Sequence, residues 1–108
     1  MNRINVAHDF TRFPSGRYKG KGDTSGEAFR ERFLVPALKN RKEVEIELDG
    51  VIGYGSSFLE EAFGGSVRET KVSADEFFRY IHLKSSRQAL ISEIQQYVKD
   101  ASNRLKNG

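Results

Sequence analysis

The chain of 108 residues contains no cysteine and no tryptophan, only two prolines and two histidines, and a single methionine. Without cysteine there is no disulfide, no thiol nucleophile and no thiolate metal site. The two histidines, His8 and His82, have no cysteine beside them, so a zinc site would need distant carboxylates to complete it. Long hydrophobic runs are missing too. Nothing approaches the roughly 18 apolar residues that a membrane span requires, and the opening "MNRINVAHDF" lacks the apolar stretch of a signal segment. The expectations are a cytoplasmic location, no membrane, no metal and no cofactor.

What is present suffices for a core. Eight Phe and four Tyr stand among 37% hydrophobic residues, and a chain of this size buries about two-thirds of its unfolded surface. One domain over residues 1–108 is expected. The net charge of +3 is unevenly spread. Residues 1–42 hold ten Lys and Arg against four acids, whereas residues 43–108 hold eight against eleven. A basic front half attracts phosphate, nucleic acid or an acidic protein surface alike, so charge alone does not choose among them.

Residues 4–10, "INVAHDF", alternate weakly and predict an edge strand. The segment "TRFPSGRYKGKGDTSG" is turn-rich, with room for a short second strand at Arg17 to Lys19. At Thr24, "TSGE" has the Ser/Thr-x-x-Glu form of a capping box and predicts a helix to Asn40, which Pro36 threatens to kink. The clearest strand is "EVEIELD", where Val44, Ile46 and Leu48 share one face and Glu43, Glu45 and Glu47 the other. Ser57-x-x-Glu60 predicts a second box and a helix over residues 58–68, and Ser73-x-x-Glu76 a third box before the strand "RYIHLKS". A stripe of Leu90, Ile94, Tyr97, Val98, Ala101 and Leu105 marks a last helix over residues 86–105. The order predicts an α/β sandwich with a mixed sheet of about four strands, helices mainly on one face.

No arrangement here demands an enzyme. Glu60 and Glu61 are neighbours and point different ways on a helix, so they cannot face one another as acid and base. "GYGSS" and "GKGDTSG" both lack P-loop spacing. Anion binding stays open on other grounds, because glycine-rich turns enter helix starts at Thr24 to Gly26 and at Gly55 to Ser57. The candidate set is Ser25 and Gly26 with the loop cations Arg17, Lys19 and Lys21 above both starts.

"FPSGRY", "SGEAFRERFLVPALK", "VEIELDG" and "GYGSSFLEEAFGGSVR" together resemble the STAS-like family of unknown function found in bacteria and their phages. That family is similar to the STAS domains of anti-sigma factor antagonists. The resemblance implies a βαβαβα order, a phosphorylatable serine at the start of the helix after the central strand, and a partner serine kinase with a histidine-kinase-like ATPase fold. The antagonists' Asp-Ser-Ser-Gly-Leu motif falls on Gly55, Ser56, Ser57, Phe58 and Leu59, with Ser57 at the phosphoserine position, a glycine for the acid and Phe58 for the glycine. The implied function is a non-enzymatic regulatory module that binds its partner through Gly55, Ser56, Ser57, Phe58, Glu60 and Glu61. Read from the residues alone, Ser57 is an N-cap and Phe58 a core or interface anchor. The alternative function is an anion-, nucleotide- or nucleic-acid-binding module using the basic N-terminal loop.

Overall fold

In the computed structural model, which describes residues 1–20 and 22–107, three strands form one sheet in the order β1 (Asn2–Asn5), β2 (Val44–Glu47) and β3 (Ile81–Lys84). Both pairings are parallel: Ile4 lies opposite Ile46, and Ile46 opposite Leu83. The expected mixed sheet of about four strands is therefore corrected to an all-parallel one of three strands among the described residues. Arg17 to Lys19 form no strand, because the backbone there is committed to a helix start described below. The register places Ile4, Val44, Ile46, Ile81 and Leu83 on one face. Across the other, Arg3 pairs with Glu45 at 2.6 Å and His82 with Glu43 at 2.8 Å.

Residues 6–10 are not the continuation of β1 that their alternation predicts. Val6–Phe10 forms a wide π-helical turn, because Asn5 and Asp9 offer the backbone a local alternative to a ladder. The Asn5 side chain accepts from the His8 amide, and the Asp9 carboxylate accepts from the Asn5 amide at 2.8 Å.

Helix α1 spans residues 26–40 and α2 residues 56–70. Each consists of four α-helical residues, a five-residue π-helical turn and six further α-helical residues. In α1 the π turn, Arg30–Leu34, is closed by a hydrogen bond that the Val35 amide donates to the Arg30 carbonyl. The widening accommodates Pro36, which has no N–H to give and whose ring would press on the preceding turn. In α2 the π turn is Glu60–Gly64, and it packs against the π turn of α1. Both helices end on a left-handed basic residue, Arg41 at φ 54° and Lys71 at φ 59°.

Helix α3 (Ala74–Tyr80) is capped by Ser73, whose side chain accepts from Glu76, as the capping-box spacing predicts. It takes in Tyr80, so β3 begins one residue later than the alternation implied. Helix α4 (Gln88–Asn107) buries Leu90, Ile94, Val98 and Ala101 against α2, with Tyr97 half-buried, whereas Leu105 at the end of the expected stripe is exposed. The core is rich in phenylalanine: Phe29 lies 5.2 Å from Phe10, 6.0 Å from Phe58 and 6.1 Å from Phe63, centroid to centroid. Such offset and edge-on pairs contribute beyond their buried area.

Candidate functional site

The first turn of α1 is closed by the chain that precedes it. Ser15 donates its amide to the Thr24 carbonyl, folding the glycine-rich loop back on itself. The Gly16 and Arg17 carbonyls then accept the amides of Gly26 and Glu27 at 3.0 Å each, and Ser25 Oγ accepts from Ala28 at 3.1 Å. Ser25, not Thr24, is thus the cap, and Glu27 instead holds the Lys19 amide at 2.8 Å. Both Ser25 and Gly26 are buried. A Cβ on Gly26 would stand 2.5 Å from the Phe58 carbonyl oxygen, so glycine is what lets α1 cross α2 so closely.

This geometry places the expected anion-binding residues in other service. The helix amides of Gly26, Glu27 and Ala28 already have acceptors from the chain itself, and Lys19 pairs with Glu31. Arg17 reaches across to α2, its Nη1 2.5 Å from Glu60 and 3.2 Å from Glu61. Lys21 lies outside the described residues.

Arg17 is one corner of a charged cluster between α1 and α2. Glu61, only 8% exposed, receives Arg17 and Arg30, the latter at 3.0 Å, with Arg68 at 3.6 Å. Glu60 takes two bonds from Arg68 at 2.6 and 3.1 Å, and Arg30 also pairs with Glu69. Arg68 first and then Arg17 hold the Glu60 carboxyl below its ordinary value, while Glu60 in turn raises Arg17. Glycines make room for these groups: a Cβ on Gly64 would meet Glu60 Oε2 at 2.6 Å, and one on Gly65 would meet Arg30 Nε at 3.0 Å. What comes near this pair is the guanidiniums of Arg30 and Arg68 and the carboxylates of Glu60 and Glu61.

The first turn of α2 is open by contrast. Gly55 is the cap residue and supplies no side chain, so the predicted box from Ser57 to Glu60 does not form. Ser57 is the second helical residue, and both it and Ser56 are exposed. The loop before them is firmly placed. Tyr54 donates its hydroxyl to the Leu48 carbonyl at 2.7 Å, and burial pushes its phenol well above the ordinary range. Asp49 accepts from Ser85 Oγ at 2.8 Å and from the Ser86 amide at 2.9 Å, bonds that lower its carboxyl and tie together the loops after β2 and β3.

Of the six residues expected to meet a partner, Gly55, Ser56 and Ser57 therefore share an exposed turn, and Glu60 is half-buried among arginines. Phe58 and Glu61 face inward, because the first packs among phenylalanines and the second among guanidiniums. Two neighbours went unnoticed in the sequence. Ile52 is 71% exposed and Phe13 64%, and the Ile52 amide bonds the Arg12 carbonyl at 3.2 Å, which sets the two apolar side chains on adjoining loops. No periodicity flags a lone apolar residue in a glycine-rich turn.

The alternation of strands and helices around the sheet is the α/β class expected for a STAS-like domain, although the sheet is parallel and not mixed. Residues 25–89 match the family described as a STAS-like domain of unknown function, and the chain belongs to that family. No curated protein and no solved structure matches it. Among the described residues no cluster of three or more His, Asp or Glu is placed to hold a metal, and no helix is long and apolar enough to cross a membrane.

Proposed function

We propose that this domain is a non-enzymatic regulatory module of the cytoplasm that docks a protein partner on the turn Gly55 to Ser57. The observation that supports it is an exposed pair of serines on a helix start with no side-chain cap, preceded in the chain by the exposed Ile52, whose amide bonds the loop that carries the exposed Phe13. Large exposed apolar groups beside hydroxyls give a partner both area to bury and a point of control. The partner the family resemblance implies is an ATPase or serine kinase of the histidine-kinase-like fold. A phosphate on Ser57 would sit at the positive end of α2 and be favoured there, while its charge opposes docking of an apolar surface. The basic-loop alternative loses ground because its helix amides, Arg17 and Lys19 already have partners within the chain.

The test is titration calorimetry against an ATPase of that fold encoded beside this protein. Ser57→Asp and Ile52→Asp should each weaken association by about tenfold or more, with Ser57→Ala close to wild type. Equal binding by Ser57→Asp and Ser57→Ala would remove phosphorylation from the proposal, and unchanged binding by Ile52→Asp would remove the surface.

A further inference from the structure

A cleft of about 600 Å³ lies at the other end of the sheet from Ser57, between the starts of β1 and β2 and the second half of α1. Its lining is apolar at Ile4, Phe33, Pro36, Ala37 and Val44. Charged and amide groups complete it: Asn2, Asn40, Arg3, Asp9, Glu43, and the cations Arg32 and Lys42.

Most of these charged groups already have hydrogen-bond partners. Arg3 Nε binds Glu45 at 2.6 Å, and Glu43 binds His82 Nε2 at 2.8 Å. Asp9 holds the Asn5 amide at 2.8 Å and His8 Nδ1 at 3.1 Å. Arg32 and Lys42 are left with no carboxylate partner among the described residues. Arg32 is nevertheless held in place, its guanidinium carbon 4.8 Å from the Phe33 ring centroid and 5.7 Å from that of Phe10. A positioned guanidinium costs less ordering when an anion binds, and its planar fork suits carboxylate, sulfonate or phosphate. The volume falls in the range of small-molecule sites.

We propose that this cleft binds a small organic anion, with its apolar body on Ile4, Phe33 and Ala37 and its acid group against Arg32 and Lys42. The site is separate from the serine turn and does not depend on the function proposed there.

The probe is the dye anilinonaphthalene sulfonate, an apolar ring system with one anionic group, titrated with fluorescence and amide NMR as readouts. Amide shifts should concentrate at residues 2–4, 32–37 and 40–44. Arg32→Gln combined with Lys42→Gln should weaken the dye by about tenfold while the melting temperature holds. Ala37→Trp fills the floor and should abolish binding, and the two-glutamine variant, altered only at exposed positions, keeps the test independent of that protein's folding. Ser57→Asp should leave the dye's affinity unchanged. Shifts centred on Phe13 and Ile52, or equal affinity in the two-glutamine variant, would overturn the site. Inorganic phosphate producing the same shifts at the same affinity would overturn the requirement for an apolar body.

Discussion

Helices α1 and α2 share one plan, with four α-helical residues, a π turn of five, six more α-helical residues and a left-handed basic terminus, yet their first turns differ in every respect that matters for binding. The α1 turn is buried, capped by Ser25 and covered by the carbonyls of Gly16 and Arg17. The α2 turn is capped by a glycine and leaves Ser56 and Ser57 exposed. A helix start is a site for something else only when the protein has not used its amides, and here the loop has used one set and not the other. The cluster of Arg17, Arg30, Arg68, Glu60, Glu61 and Glu69 holds the closed end against the open helix.

The largest expected effect comes from breaking that connection. Removing Glu61 leaves Arg30, largely buried, with Glu69 alone, and leaves Arg17 and Arg68 with Glu60 alone, so Glu61→Ala should cost about 3 kcal/mol in urea unfolding. Joint replacement, Arg30→Met with Glu61→Leu, should recover much of the loss, since an apolar pair needs no compensating charge. Next comes Gly26→Ala, in which a methyl must enter the 2.5 Å gap to the Phe58 carbonyl; about 2–3 kcal/mol of destabilisation is expected in the same measurement. The caps sharpen the comparison directly. Ser25→Ala should cost about 1 kcal/mol and Ser57→Ala less than about 0.5 kcal/mol, because only Ser25 caps its helix. Equal losses would mean that both starts are structural.

An effect of the size of the Ser25 cap lies in the acid limb. Glu60 has its carboxyl lowered in the folded protein from an ordinary value of 4.5, chiefly by Arg68 and then Arg17. The stability it adds is present above that value and is lost as pH falls through the folded one. Because the pairs are partly exposed, Glu60→Gln should lower stability at neutral pH by roughly 1 kcal/mol, and the gap to wild type should close as the pH is taken down below 4.5. Chemical denaturation at a series of pH values measures this; a gap that widens in acid would contradict the assignment.

Where local spacing carried the information, the chain could be read directly. The alternation through Val44, Ile46 and Leu48, the stripe through Leu90, Ile94, Val98 and Ala101, and the Ser73 cap all follow from periods of two or of about 3.6 residues, or from a contact three residues long. The family was legible as well, through the segments between Ser25 and Arg68 that carry the resemblance. What depended on contacts between distant segments was not. Residues 6–10 alternate like a strand and form a turn, since Asn5 and Asp9 bond the backbone locally. Ser57 and Glu60 have the spacing of a capping box, but Glu60 is drawn away by Arg17 and Arg68. Thr24 and Glu27 have it too, but the helix begins one residue later because carbonyls from residues 16 and 17 reach its amides. The sequence by itself determined the α/β class, the central strand, the last helix and the family. Only the tertiary structure decided which helix start stays open, which glutamate is buried and where the cleft lies, because each rests on groups brought together from far apart in the chain, and pairing of that kind leaves no periodic trace.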